Sequence, residues 1–324
     1  MNAAQVHIIG AVCSRMGPLA FNALNDACTE NNLELSQGLN ETSIVQHLKT
    51  HPHDMLLADI KTLAELVENQ QFEPNEQTLA AIFERYNPEF ATFQSKGKHL
   101  RYLVSARHPA LLRASLSAIF RFRFDQHFLG IPHHIINKDH KKVYRHKLKS
   151  SSERTALQNA TIDFFSKELE NTKNKHVLGN SSYPKYMGDI LDELLMNAIW
   201  DANEKRAHTD RTHETNLDST EQVIVEAECD HESFVLSVTD SQGSFPELGI
   251  QKPLKYALGF RDEIEINEGS GGAGLGLYMT LQKAALLSFE VERGKYTRVT
   301  VVQRMDQPLT EMQRWPRTVL FFLK

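Results

Sequence analysis

The chain has 324 residues, a formal net charge of −5, 41% hydrophobic and 24% charged residues. That length predicts two domains, each able to bury its own core, and the ordinary composition points to a soluble globular protein. The small negative charge gives no global reason to expect nucleic acid or an anionic membrane as partner. Three scattered cysteines, Cys13, Cys28 and Cys229, exclude a disulfide framework and a cysteine zinc site. No segment reaches the roughly 18 apolar residues a membrane span needs, and residues 1–12 lack the features of a signal peptide, so a cytoplasmic location is expected.

The first part reads as alternating strands and helices. Residues 6–12 (VHIIGAV) suit a buried strand, and 18–30 carry helical spacing at Leu19, Ala23 and Ala27. A strand at 33–36, a helix at 41–49, a strand at 54–60 and a helix at 61–69 follow. Residues 100–105 (LRYLVS) predict another strand, with a helix at 109–120. Such alternation predicts an α/β domain over about 1–127, a three-layer arrangement with a parallel sheet covered on both faces.

This order resembles the receiver domains of response regulators. The resemblance places Asp59 where receivers are phosphorylated and Ser105 at the hydroxyl position ending the fourth strand. Receivers carry an acidic pair after the first strand to bind magnesium, whereas this chain has Ala11, Val12, Cys13 and Ser14. Without those carboxylates, phosphoryl transfer to Asp59 loses electrostatic support. A degenerate receiver, or a generic α/β domain with Asp59 at a strand edge, are the two readings.

Residues 128–150 read as a basic linker, within a run from Lys96 to Lys149 that contains thirteen Lys and Arg against Asp125 and Asp139. Aromatics interleave at Phe120, Phe122 and Phe124, yet a solvated linker or a face for an acidic partner is favoured over nucleic acid. Ser150 to Glu153 has capping-box spacing and predicts a helix to about Asn171, which offers Leu157, Ile162, Phe165 and Leu169 for burial and could pair with a second copy. The histidines, among them His51, His53, His133 and His134, show no partner spacing that argues for metal and read as exposed loop residues.

Four features follow in residues 151–324. Residues 189–203 have helical periodicity, with Ile190, Leu194, Ala198 and Ala202 on one face. Glu193 and Asn197 are four apart and point the same way. A carboxylate beside an amide oxygen can hold magnesium and orient an attacking group. Residues 235–239 form a strand that delivers Asp240 to its end, with Gly243 after it; such an aspartate can accept an exocyclic amine. Glycines 269, 271, 272, 274 and 276 run directly into a helix predicted over 278–287, offering backbone N–H groups to phosphate. Residues 289–293 and 297–302 make a β-hairpin around Gly294 and Lys295, with Thr297 opening its second strand.

Together these resemble the GHKL ATPases, the superfamily of histidine kinases, anti-sigma-factor serine kinases, MutL, Hsp90 and gyrase. The resemblance implies an α/β sandwich of the Bergerat type that binds ATP and Mg²⁺. In it Asn197 is the magnesium ligand and Glu193 the catalytic base; Asp240 and Gly243 meet adenine. Gly272, Gly274, Leu275 and Gly276 belong to the phosphate box, and Thr297 supports the aspartate. The adenine box departs from the family by one residue, reading Asp-Ser-Gln-Gly. Residues 244–270 would be the lid, carrying Lys252, Lys255 and Arg261.

Histidine kinases carry their acceptor on a two-helix stalk. Too few residues separate His146 from Asn197 for such a stalk at about 1.5 Å per helical residue, which argues against His146 as acceptor and leaves an atypical histidine kinase as a further alternative behind the serine type. The layout is closest to anti-sigma-factor type serine kinases, implying a regulatory protein that is phosphorylated or sequestered. A non-catalytic module, in which ATP orders a lid that binds a partner, is the alternative from another class. A MutL- or Hsp90-like machine is disfavoured, because those need a following domain and residues 318–323 already read as a terminal strand.

Overall fold

The computed structural model describes residues 7–10, 17–37, 41–51, 54–68, 78–82, 100–124, 128–171, 182–203, 205–206, 209–246, 249, 275–306, 308–312 and 314–324. The protein is mixed α/β and divides into two compact units. The first comprises Met1–His134, Ile250–Phe260 and Trp315–Leu320; the second comprises Ile135–Gly249, Arg261–Arg314 and Phe321–Lys324.

In the first unit, β1 (His7–Gly10), β2 (Glu34–Gln37), β3 (Met55–Asp59), β4 (Thr78–Ile82) and β5 (Tyr102–Ser105) form a parallel sheet in the order β2-β1-β3-β4-β5. This is one of the two common doubly wound orders. Every residue of β3 and β5 is buried, as expected of strands covered on both faces, where no polar alternation is needed. Helix α1 (Pro18–Glu30) starts with Pro18, whose fixed φ suits a first turn, and ends as Asn32 takes φ 54°. Its small buried face (Ala20, Ala23, Ala27 and Cys28 beside Leu24) packs on α4 (Pro109–Phe124). Helices α2 (Glu41–Thr50) and α3 (Ile60–Glu68) complete the alternation.

Strand β4 lies within 70–97, where the sequence reading has none, so Ser105 ends the fifth strand and not the fourth. The alignment of Ser105 with the receiver hydroxyl therefore falls. Asp59 does close β3, 6% exposed. Its Oδ1 accepts the Thr62 N–H at 2.8 Å and its Oδ2 lies 3.4 Å from Thr62 Oγ1, so the carboxylate caps α3. The helix predicted over 109–120 runs on to Phe124, with Phe120 buried in the core and Phe122 edge-on to Phe128 at 5.4 Å; the interleaved aromatics serve packing. Positions 11–14 lie outside the described residues. So do residues 83–99. In the same unit, Val319 and Leu320 pair antiparallel with Leu103 and Tyr102 of β5.

The second unit holds an antiparallel sheet ordered β9-β10-β8-β7-β6, from β6 (Lys142–Leu148), β7 (Val223–Cys229), β8 (Ser233–Asp240), β9 (Leu286–Glu292) and β10 (Tyr296–Arg304). The stretch expected as a basic linker thus contains a full strand. Its basic residues alternate with half-buried Tyr144 and His146, and Arg145 stands opposite Glu226 at 3.4 Å, so the charge marks the wet face of an edge strand. His146 Nε2 lies 2.8 Å from Glu153. That contact redirects the expected capping box. Ser150 accepts the Ser152 N–H at 3.2 Å and caps a short 3₁₀ turn, and Glu153 turns to His146 and not back to Ser150.

Helix α5 (Pro132–Ile135) contains His133 and His134, both half-buried and not loop residues. Helix α6 (Arg154–Glu170) buries the row Leu157, Thr161, Phe165 and Leu169, with Ile162 beside it partly exposed. Phe165 meets Phe234 of β8 with ring centroids 4.5 Å apart. Helix α7 (Tyr183–Met196) packs on α6, and Gly188 sets the approach: a Cβ there would come 2.6 Å from Ile162. Helix α8 (Leu275–Lys283) packs on α7. It begins three residues before the predicted start and gives way to β9 at Leu286, earlier than the predicted strand. The short α9 (Leu309–Met312) precedes β11 (Thr318–Leu323). Among the described residues no helix is long and apolar enough to cross a membrane.

Candidate functional site

Helix α7 begins at Tyr183, six residues before the sequence pattern suggests, with Pro184 in its first turn. It delivers Glu193 near its C-terminal end. The next turn, Asn197–Asp201, is a π-turn closed by the Ala202 N–H on the Asn197 carbonyl at 2.8 Å. A wider turn changes which residues share a face. Asn197, Ala198, Asp201 and Ala202 all line one cavity, while Ile199 and Trp200 go into the core.

That cavity has a volume of about 670 Å³. It is walled by α7 and its π-turn on one side, by β8 and β10 at the back (Val238, Asp240, Thr297, Val299), and by Gly276, Leu277 and Met279 from the start of α8. Phe245, Pro246 and Phe289 add apolar surface, Phe245 stacked on Phe289 at 4.6 Å. A mostly apolar cleft with a few converging polar groups is the general form of a small-molecule site.

Asp240 ends β8 and is 7% exposed. Burial pushes its carboxyl up to about 6, against hydrogen bonds from the backbone N–H groups of Gln242, Gly243, Thr297 and its own. The Gln242 N–H is 2.8 Å from Oδ1. Thr297 stands directly opposite Asp240 in the β8–β10 register. The Thr297 hydroxyl is buried and has no hydrogen-bond partner among the described residues. A buried hydroxyl without a partner costs on the order of 1–3 kcal/mol, so the pocket back carries an acceptor and a hydroxyl that the fold alone does not satisfy.

Gly243 takes φ +60°, and a Cβ there would lie 2.7 and 2.8 Å from the backbone nitrogens of Gly294 and Lys295 and overlap the Glu292 carbonyl. Despite the extra residue between Asp240 and the glycine, this position requires glycine: it seats the post-β8 turn against the β9–β10 hairpin.

On the opposite wall, burial raises the pKa of Glu193 and the neighbouring Asp192 raises it further; Arg154, Lys283 and Arg211 act the other way. Asn197 makes no side-chain hydrogen bond among the described residues. Gly276 lies against the Glu193 carboxylate, which a Cβ would overlap. The N-terminal turn of α8 therefore faces Glu193 and the cavity, and the positive end of its dipole favours an anion. Leu275 opens that helix. Gly272 and Gly274, and the expected lid apart from Ser244–Pro246 and Gly249, lie outside the described residues, as do Lys252, Lys255 and Arg261.

Two cavity residues escape a sequence reading. Arg154 pairs with Asp192, its Nε at 3.2 Å, and lies 5.3 Å over the Trp200 ring. Arg211 pairs with Asp201, whose own carboxyl is raised by burial. Both sit on segments with no motif, and only the tertiary fold brings them to the cavity. Four carboxylates (Asp192, Glu193, Asp201, Asp240) against two guanidiniums leave the lining net negative, which suits a metal-bound anion better than a bare one.

No protein-family model matches the chain, and no curated protein matches it.

Proposed function

We propose that the second unit binds ATP with Mg²⁺ in this cavity, in the manner of the GHKL ATPases that its ordered motifs resemble, and that it acts on a protein partner. The observation that carries the reading is the meeting, around one cavity, of a buried carboxylate with an unpartnered hydroxyl on the sheet and Glu193 with Asn197 on the facing helix. Asp240 accepts the adenine amine, Thr297 completes its hydrogen bonding there, and Asn197 holds the magnesium ion. The α8 N-terminus, which the phosphate box of Gly272, Gly274, Leu275 and Gly276 leads into, receives the phosphates.

Transfer of the terminal phosphoryl group to a partner hydroxyl follows from Glu193. Its raised pKa and its position beside the α8 N-terminus suit a base toward an incoming serine. A serine-directed protein kinase or nucleotide-gated regulator of anti-sigma-factor or two-component type is therefore the reading we adopt. His146 lies within β6, paired with Glu153, an arrangement that does not favour a phosphoacceptor role.

Calorimetry of the full chain with ATP and Mg²⁺ tests the binding. One site per chain, abolished by Asp240→Ala with the fold retained by circular dichroism, supports the proposal; no heat at millimolar nucleotide with folded protein sinks it. Labelled ATP with candidate partners then separates transfer, lost in Glu193→Ala, from nucleotide-dependent complex formation without transfer.

A further inference from the structure

In the first unit, one group of histidine and carboxylate side chains brings a ligand atom from each residue within 4.8 Å of the others: His47, His51 and Asp54. His47 lies in the last turn of α2, His51 is four residues on, and Asp54 immediately precedes β3. The backbone of this corner is tied down. His51 N–H donates to the His47 carbonyl at 2.8 Å, and Asp54 N–H to the His51 carbonyl at 3.1 Å. The side chains converge as well: His47 Nε2 is 2.6 Å from Asp54 Oδ2, and the two imidazoles stack with centroids 4.3 Å apart. Asp54 is 4% exposed, while His51 is open to solvent.

We propose that His47, His51 and Asp54 form a site for a zinc-type divalent transition-metal ion, with water completing its coordination. Two imidazoles and one carboxylate are the ligand set that zinc takes with three protein ligands; magnesium and calcium, which demand oxygen, are selected against. The negative end of the α2 dipole favours a cation at this spot. Ligand atoms around a tetrahedral zinc lie about 3.4 Å apart, given bonds of about 2.0–2.1 Å. The widest separation here must therefore close by no more than about 1.4 Å, with the stacked rings turning so that their in-plane lone pairs converge. For solvent-exposed His51 that turn gives up the Nδ1 contacts with Thr50 Oγ1 at 2.9 Å and the His47 carbonyl at 3.2 Å, which the metal bond would replace. The ion would replace the His47–Asp54 hydrogen bond and clamp the end of α2 to the start of β3, the end opposite Asp59. These residues belong to the first unit and the proposed nucleotide cavity to the second, so the proposal does not depend on how that cavity is used.

The test is zinc titration of the chelator-treated full chain without nucleotide, by calorimetry, with cobalt(II) substituted to read coordination by visible absorption. One micromolar-class zinc per chain is expected, with tetrahedral cobalt bands. Losing an exposed ligand in His51→Ala should weaken it at least about tenfold without unfolding the protein. His213→Ala, which removes an exposed histidine of the second unit, should leave it unchanged. Absence of zinc binding below millimolar concentration, unaltered binding in His51→Ala, or an equal loss in His213→Ala each overturns the proposal.

Discussion

Gly276 and Glu193 touch across the interface of α8 and α7, so closely that a methyl group on the glycine would occupy the space of the carboxylate. A helix gains about 1 kcal/mol when an internal glycine becomes alanine, if nothing stands in the way. Here something does. Gly276→Ala is expected to displace Glu193 and to weaken Mg·ATP several-fold with little gain in stability. In a Glu193→Ala background the obstruction is gone, and the same substitution, in the first turn of α8, should then stabilise by up to about 1 kcal/mol. A double-mutant cycle by chemical denaturation checks this, and additive effects would show that the two residues do not compete for space.

Asp240 sets stability against binding. Its carboxyl titrates near 6 in the folded protein, above the ordinary 3.8, so between those values the folded state holds a proton that the unfolded chain has lost. Stability contributed by this group therefore falls as pH rises from about 4 to 6. About two pH units correspond to roughly 3 kcal/mol, which is the cost of keeping the buried carboxylate charged at neutral pH. Asp240→Asn is expected to raise the denaturation midpoint at pH 7, by about 1–3 kcal/mol, and to flatten the slope between pH 4 and 6. Its new amide would present a donor to the adenine amine, so nucleotide binding is lost as stability is gained. In the unsubstituted protein, ATP affinity should decline below pH 6, read by calorimetry across that range.

Thr297 makes the same point without charge. Replacing it by valine removes, at nearly constant volume, a buried hydroxyl that has no partner among the described residues. Thr297→Val is expected to stabilise the nucleotide-free protein by about 1 kcal/mol and to reduce nucleotide affinity. A destabilised variant with undiminished affinity would mean that the hydroxyl serves the fold and not a ligand.

Much of the second unit's site is legible in sequence because its residues sit at fixed offsets on single elements. Glu193 and Asn197 share a helix face, Asp240 closes an apolar strand, and Thr297 follows a glycine turn. The illegible parts have physical reasons. The start of α7 hides behind Pro184 and Gly188, poor helix formers that here cap the first turn and admit Ile162. Strand β6 passes for linker because its lysines and arginines mask a two-residue period that only pairing with β7 makes visible. Strand β4 (TLAAI) is five residues long and lacks aromatic or bulky β-branched content apart from its ends, so its neighbours in the sheet decide its state. Arg154 and Arg211 reach the cavity only through the tertiary fold, and no motif announces them; His47 and Asp54 are seven residues apart and meet where α2 ends and β3 begins, which no periodicity marks.

Gly243 offers the sharpest test of how the site is built. Ser241 and Gln242 separate Asp240 from the glycine, which folds back at φ +60° and bears on the Gly294–Lys295 corner, where Lys295 N–H donates to the Glu292 carbonyl at 2.9 Å. Alanine at this position meets two penalties. The left-handed backbone costs a non-glycine residue about 1–2 kcal/mol, and the methyl group has nowhere to go except into main chain, which cannot rotate aside. Gly243→Ala is therefore expected to destabilise by about 2–4 kcal/mol, at the upper end for a single substitution. Because Gly243 also donates its N–H to Asp240, the turn's displacement should carry nucleotide affinity down with it. Gly294→Ala is the informative control: it too has positive φ, +69°, but open space around it. It should show only the backbone penalty, about 1–2 kcal/mol, and keep its nucleotide. Equal losses in the two variants, measured by urea denaturation and calorimetry, would mean that the close approach of Gly243 to the hairpin contributes nothing.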